Sequence, residues 1–279
     1  MTSESALSFK NFYPEQKTTL IFLHGGGAAG WMWQPVVDRL SEFHCLVPDL
    51  PEHGESMQVK PFIMRLAAEK CIELIRSEAH DKKAVVIGLS EGAQTAVEML
   101  AIAPEVIEKA VISSALLLPM PGSKMYSSPG LIAALFKISV PPFRNNDWWI
   151  RINMKHAAGI PDEFFPQFKQ NFQTMPESQF VNLMVANQTY RMPDGLEKVK
   201  VPVLVVCGKH EYAAMKNSSQ QLAAVLQNST LAEIDLGQGS GMAKEHNWAM
   251  TAPEEFASMI RLYLQDAALP PVLTQVQKK

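Results

Sequence analysis

A serine between two glycines is the residue of this chain best suited to nucleophilic chemistry. The stretch 88–92, which reads GLSEG, directly follows an apolar run at 84–87 and directly precedes a segment with helical periodicity. In a tight turn between a strand and a helix, small flanking residues let the backbone pass while the serine hydroxyl stands free. The N-terminal amides of the following helix favour negative charge beside the hydroxyl. The pattern therefore predicts that Ser90 is a nucleophile.

The histidine at position 246 is the best candidate for the base that such a serine needs. A serine hydroxyl is a weak nucleophile at neutral pH, so a base has to lie within hydrogen-bond reach of it. Of the seven histidines, His246 alone lies between the last predicted strand and the last predicted helix. It follows a glycine-rich loop at 237–241 that can fold over the strand ends. We therefore predict that His246 is the general base.

The elements that have to position these side chains form a repeating pattern. Short apolar runs alternate with longer segments of helical periodicity, which is typical of β-α-β units and a mainly parallel sheet. The predicted strands are Thr18–Leu23, Cys45–Asp49, Ala84–Ile87, Ala110–Ser113, Val203–Cys207 and Leu231–Leu236. The predicted helices are Met32–Phe43, Phe62–Ser77, Glu91–Ala101, Asn217–Gln227 and Pro253–Leu264. The tail after Leu269 is expected to be a loose end.

The alternation fails over one long segment, from about residue 116 to residue 200. This segment holds 11 of the 23 aromatic residues of the chain, and its nine prolines divide it into short helices. The pattern predicts that residues 116–200 are a helical cap, and that residues 1–115 and 201–279 together form the core domain.

A cap in this place would lie over the candidate nucleophile. An insertion between two strands of a parallel sheet emerges at its carboxyl edge, where ligands bind in open α/β folds. Most apolar side chains of the cap are expected to pack it onto the core. A minority should line a substrate pocket, and Trp148 and Trp149 are the first candidates because they are the largest adjacent apolar pair.

Further stretches carry a resemblance to the α/β-hydrolase fold superfamily. Residues 23–27 read LHGGG and resemble its H-G segment, and residues 49–56 read DLPEHGES and resemble its D-x-P-x-H-G-x-S loop. The letters HNW at 246–248, followed by PEEF at 253–256, resemble its C-terminal signature. With the serine motif, the matches span residues 18–265 in the family's order, and the cap matches in position only.

The resemblance implies a fold and a set of roles. The fold is α/β, with a mainly parallel central sheet flanked by helices and a helical cap inserted after the sixth strand. The oxyanion hole is formed by the backbone N–H groups of Gly26 and Glu91. His24 and His53 belong to loops that shape the floor of the site.

The same resemblance implies the position of the triad acid, which follows a strand and precedes the histidine in the chain. After the predicted strand Val203–Cys207 the family usually carries G-x-x-D, and this chain has GKHE at 208–211. Glutamate replaces aspartate in some serine hydrolases of this fold, so Glu211 is the acid that the resemblance implies. Asp235, near the end of the next predicted strand, is the alternative, and His210 is expected to be a surface residue.

The composition argues against several other classes of protein. Apolar residues make up 47% of the chain and charged residues 19%, which is enough for a large buried core. The net charge is −3 without a cluster of Lys and Arg, so nucleic acid is not an expected partner. The three cysteines are far apart, which favours neither a disulfide framework nor a zinc site. Signal-peptide and membrane-span patterns are absent, so we expect a cytoplasmic protein.

Together these features favour a serine hydrolase, more specifically a carboxylesterase, that cleaves a small to medium apolar ester through an acyl-enzyme. No cofactor and no metal are expected, because metal-ligand spacing, phosphate-binding loops and dinucleotide fingerprints are missing from the sequence. Two alternatives stay open: a carbon–carbon bond hydrolase or lyase with the same triad, and a ligand-binding protein in which the triad is a relic.

Overall fold

A central sheet organises the chain in a computed structural model, which describes residues 6–120, 122, 127–157 and 159–278. Within these residues the strands are β1 (Phe9–Phe12), β2 (Thr19–Leu23), β3 (His44–Pro48), β4 (Ala84–Leu89), β5 (Ile107–Ser113), β6 (Val203–Gly208), β7 (Ser229–Ile234) and β8 (Leu273–Gln275). Their order in the sheet is β1-β3-β2-β4-β5-β6-β7-β8. The strands from β3 to β7 in that order are parallel, and β1 and β8 are antiparallel edges.

The helices connect these strands. They are α1 (Gln34–Val37), α2 (Met64–Glu78), α3 (Glu91–Ile102), α4 (Pro129–Ser139), α5 (Asp147–Ile152), α6 (Phe165–Thr174), α7 (Glu177–Thr189), α8 (Ala213–Val225), α9 (Met242–His246), α10 (Trp248–Thr251) and α11 (Pro253–Leu264). A short π-helical turn, Asn153–Ala157, extends α5.

Helices cover both faces of the sheet, which explains why its inner strands are apolar without alternation. All five residues of β2 are buried. Leu20 and Phe22 pack on one face with residues of α1 and α11, whereas Ile21 and Leu23 pack on the other face with residues of α2 and α3. Because successive side chains of a strand point to opposite faces, a strand between two helical layers needs apolar residues at every position.

The predicted strands are confirmed to within three residues at each end, and so is the α/β class with a mainly parallel sheet. The predictions for the tail and for one helix are wrong. The tail is not loose, because β8 pairs with β7 and buries Leu273; a three-residue strand is too short to show a periodicity. The predicted helix Met32–Phe43 is reduced to a 3₁₀ turn, Gly30–Trp33, and the single turn α1.

The expected helical insertion lies between β5 and β6 and contains α4 to α7. The insertion therefore follows the fifth strand of the chain and not the sixth. Four strands were predicted before it, and the described residues add one more, β1. We call residues 116–200 the β5–β6 segment. Its separation as a cap from a core of residues 1–115 and 201–279 remains a proposal.

Hydrogen bonds tie α7 to the rest of the molecule. Asn182 Nδ2 donates to Glu52 Oε2 at 2.9 Å, and the Tyr190 hydroxyl donates to Glu98 Oε2 at 3.0 Å. Gln94 Nε2 on α3 donates to the carbonyl oxygen of Asn187 on α7 at 3.2 Å. No helix within the described residues is long and apolar enough to cross a membrane.

Candidate active site

Ser90 lies on the turn between β4 and α3, in a backbone conformation that side chains rarely adopt. Its φ is 57° and its ψ is −114°. The two flanking glycines make this turn possible: a Cβ at Gly88 would collide with the carbonyl oxygen of Gly92, and a Cβ at Gly92 would collide with that of Leu23. The turn holds the serine at the end of the strand despite the strain.

Two hydrogen bonds to Ser113 bring the serine turn and the histidine segment to the same strand end. The backbone N–H of Ser90 donates to the carbonyl oxygen of Ser113 at 2.9 Å, and the indole N–H of buried Trp248 donates to its hydroxyl at 3.0 Å. Ser113 is the last residue of β5, and the sequence pattern gave it no role. Its role in holding the two segments together depends on packing between residues that are far apart in the chain.

His246, at the end of α9, has a carboxylate partner in Glu211. The distance from His246 Nδ1 to Glu211 Oε1 is 2.8 Å, and the Glu211 side chain is fully buried while the imidazole is 20% exposed. Glu211 Oε2 also accepts from the backbone N–H of Gly208. Because a carboxylate only accepts hydrogen bonds, Nδ1 carries the proton and Nε2 is left as an acceptor.

Asp235, the alternative acid, lies elsewhere. It follows the last residue of β7, and its carboxylate pairs with Lys209 Nζ at 2.7 Å in an exposed position. The hydrogen bonds from Lys209 and from the backbone N–H of Gly237 lower the pKa of Asp235. The structure thus brings Glu211, and not Asp235, to the imidazole of His246.

A second histidine–carboxylate pair crosses the first. His210 Nδ1 lies 2.7 Å from Oε1 of Glu245, and the His210 backbone N–H donates to Glu245 Oε2 at 2.8 Å. The side chain of Glu245 is fully buried, and Ser240 Oγ also donates to it. His210 is half-exposed, as expected of a surface residue, but its hydrogen bonds hold α9 against the loop that carries Glu211. No sequence pattern indicated a role for Glu245.

Ser90 and His246 line one cavity of about 310 Å³. Its other side chains are mostly apolar. They are Ala28, Met32, Val140, Ile160, Phe168, Phe172, Met175, Phe180, Leu183 and Met250, with Asn153 and Asn247 as the further polar residues. Lysine, arginine, aspartate and glutamate are absent from this set of described residues.

The two tryptophans proposed for the pocket do not line this cavity. Trp148 is 68% exposed, and the ring of Trp149 stacks on Phe143 with centroids 4.5 Å apart. Both lie at the start of α5, where the buried side is formed by Ile150. The aromatic wall comes instead from α6 and α7, whose side chains could not be told from packing residues by composition.

The glycine loop after β2 forms the wall of the cavity next to Ser90, since residues 25–27 line it together with the serine. The backbone N–H of Gly27 donates to His53 Nε2 at 3.2 Å, and Asn171 Nδ2 donates to the carbonyl oxygen of Gly27 at 3.2 Å. The loop is therefore held both by the floor of the site and by α6. This fixes Gly26 opposite the start of α3, where Glu91 is the first residue.

His24 and His53 lie beneath this loop as neutral rings. Both are buried, with ring centroids 4.9 Å apart. His24 Nε2 accepts from the backbone N–H of Leu50 at 2.9 Å, and Nδ1 of each ring faces a backbone carbonyl oxygen. Burial lowers the pKa of His24 to about 4 and that of His53 to about 3. A ring with so low a pKa is a weak base, and neither His24 nor His53 lines the cavity that contains Ser90.

The lowered pKa values of these two histidines predict that the protein loses stability in weak acid. The unfolded chain takes up their protons near pH 6.5, whereas the folded chain resists protonation down to about pH 4 or 3. The stabilisation is therefore complete above about pH 6.5 and is lost progressively as the pH falls, by an amount on the order of several kcal/mol. Urea unfolding at a series of pH values measures the slope. His53→Gln should flatten it, whereas exposed His80→Gln should not. Equal slopes in wild type and His53→Gln would contradict this assignment.

The described residues contain no group of three histidine, cysteine, aspartate or glutamate side chains that could hold a metal ion. The three cysteines are buried and free. The described residues of the site bring together a strained serine, a histidine on the same cavity, and a buried carboxylate hydrogen-bonded to that histidine.

Comparisons with known proteins agree with this fold. A family model described as "Alpha/beta hydrolase family" matches residues 20–259. A protein of Gibberella zeae named "AB hydrolase superfamily protein" is 22% identical over 96% of this chain and 87% of its own length. An esterase of Mycobacterium tuberculosis is 35% identical over 33% of this chain and 31% of its own length. The solved structure of a thermophilic esterase from Thermogutta terrifontis superimposes with a TM-score of 0.65 at 20% identity, covering 93% of both chains.

Proposed function

Because the chain belongs to the alpha/beta hydrolase family, we propose that it is a serine carboxylesterase that cleaves a small to medium apolar ester through an acyl-enzyme. The observation that carries the proposal is the placing of Ser90 and His246 on one apolar cavity, with Glu211 hydrogen-bonded to the histidine. The similarity to a named esterase supports ester cleavage in particular.

In the proposed mechanism, Ser90 Oγ attacks the ester carbonyl carbon while His246 Nε2 takes its proton. The negative charge on the carbonyl oxygen is stabilised by the backbone N–H groups of Gly26 and Glu91. His246, held by Glu211, then protonates the leaving alcohol. Water then attacks the acyl carbon while His246 takes its proton, and His246 gives that proton to Ser90 Oγ as the carboxylic acid leaves.

The lining of the cavity supports an apolar acyl group. Phe168, Phe172 and Phe180 contribute aromatic surface, and a charged acyl group would be buried there without a partner of opposite charge. Burial of each added methylene favours binding by roughly 0.8 kcal/mol, or about fourfold. Affinity should therefore rise with chain length until the cavity of about 310 Å³ is full.

A chain-length series of p-nitrophenyl esters tests this substrate class. We expect kcat/KM to rise from the acetate toward medium-chain esters, and a dicarboxylate monoester to be poorer than its neutral analogue. Phe172→Ala should flatten the rise because it removes apolar surface from the wall. Trp148→Ala, on an exposed side chain, is the matched control and should keep the wild-type profile. If the acetate ester is the best substrate, the apolar pocket has to be abandoned.

Labelling with a fluorophosphonate separates ester hydrolysis from the alternatives. Turnover of the esters together with stoichiometric labelling is the outcome expected of an esterase. Labelling without turnover of any ester would favour a carbon–carbon bond hydrolase or lyase with the same triad, and absence of both would favour a binding protein. A diketone substrate screen on the purified protein then distinguishes the last two.

A further inference from the structure

The side chain of Glu91 occupies a place that its backbone role does not require. Its carboxyl group packs directly against the Cα of Gly26, because a Cβ on that glycine would collide with both carboxyl oxygens. Glu91 is only 4% exposed, and its Oε2 has no hydrogen-bond partner among the described residues. A carboxyl group therefore lies buried and half-satisfied behind the loop that the mechanism uses for the oxyanion.

Within the described part of the chain, no cation acts on this carboxyl group. From α7 it is met by the side-chain amide of Asn187, which forms a hydrogen bond with it and also donates to Gln94 Oε1 at 3.2 Å. The titratable groups beneath the glycine loop are His24 and His53, and both are neutral at pH 7. His246 lies on the same cavity as Gly26. The acid next along α3, Glu98, is paired with Tyr190.

Burial raises the pKa of Glu91 to about 8, and the hydrogen bond from Asn187 opposes this only in part. The group is thus a neutral acid at pH 7. In the unfolded chain it ionises near pH 4.5, so its burial destabilises the fold increasingly as the pH rises from about 4.5 to about 8. A glutamine would fill the same space without this cost. A perturbed carboxyl group next to the site is therefore a candidate for a functional role.

We propose that Glu91 has to be uncharged for the reaction to proceed, and that it acts through the glycine loop as a positioning residue that sets the alkaline limit of activity. The inference rests on the proposed esterase mechanism. When Glu91 is protonated, its side chain carries no charge, and the N–H groups of Gly26 and Glu91 stabilise the oxyanion fully. When it ionises, a second negative charge lies behind the same loop and repels the oxyanion. Like charges a few ångströms apart in a partly buried site lower the rate by roughly 10- to 100-fold.

The pH dependence of kcat/KM for p-nitrophenyl butyrate tests the proposal, with the rate of Ser90→Ala subtracted as background. The kcat/KM of the wild type should fall roughly 10- to 100-fold between about pH 7 and pH 9, whereas in Glu91→Gln the ratio between those two pH values should stay near one, whatever its kcat/KM at pH 7. Glu98→Gln, on the same helix, is the matched control and should retain the alkaline limit of the wild type. An unchanged alkaline limit in Glu91→Gln would overturn the proposal.

A second variant keeps the test decisive if Glu91→Gln fails to fold. Asn187→Leu removes the hydrogen bond that favours the charged form, so it should move the alkaline limit to higher pH. An unmoved limit in a folded Asn187→Leu protein would count against Glu91. If the wild type hydrolyses no ester at any pH, the esterase proposal itself fails; if it hydrolyses esters with a limit that neither variant moves, only the role of Glu91 fails.

Discussion

Replacement of Ser90 by alanine is expected to lower kcat by about 10⁴-fold or more, while the fold and the binding of apolar ligands are kept. The change removes the attacking oxygen and almost no packing. The strain at φ 57° is borne by the backbone and is present with either side chain. Steady-state kinetics on the preferred ester give the rate, and thermal unfolding checks the fold.

Ser114→Ala is the matched control for this variant. Ser114 is also a buried serine at positive φ, and it follows β5, the neighbouring strand of β4. Its removal should leave kcat within a few-fold of the wild type. Stoichiometric labelling of Ser90→Ala by a fluorophosphonate would show that another residue is the nucleophile.

Glu211→Gln is expected to have the next largest effect, a loss of kcat of roughly 10³- to 10⁴-fold. The neutral amide cannot stabilise the imidazolium that forms when His246 takes the proton. It can also donate to Nδ1, which would hold the imidazole in the wrong tautomer. The substitution keeps the size of a fully buried side chain, so the protein should still fold.

Asp235→Asn is the control that separates the two candidate acids. Its exposed ion pair with Lys209 contributes little stability, so this variant should be close to the wild type in both kcat and unfolding temperature. An inactive Asp235→Asn protein beside a nearly normal Glu211→Gln protein would show that the acid has been assigned wrongly.

The sequence by itself was sufficient for the features that short-range physics determines. Fully buried strands have to be apolar throughout, so the runs at 84–87 and 203–207 could be identified as strands directly. The turn at Ser90 needs small residues on both sides, and the sequence shows them directly as Gly88 and Gly92, each two residues from the serine. The break in the β-α alternation also located the helical β5–β6 segment, because prolines and aromatic residues mark it locally.

Tertiary structure decided the features that depend on where distant segments cross. Glu211 and Asp235 both follow parallel strands, and only the fold of the segment 237–247, which contains α9, shows which carboxylate His246 meets. The crossed pair of His210 and Glu245 arises from the same packing of α9 on the β6 end.

The cavity wall was likewise decided by packing. The sequence alone does not separate tryptophan from phenylalanine as a lining residue, because both are large and apolar. In the fold, Trp148 on α5 is exposed, whereas Phe172 on α6 and Phe180 on α7 line the cavity with Ser90. The side chain of Glu91 is a similar case, since its sequence position indicates only a backbone role. Which atoms surround a side chain is set by contacts between residues far apart in the chain, and local patterns carry no information about such contacts.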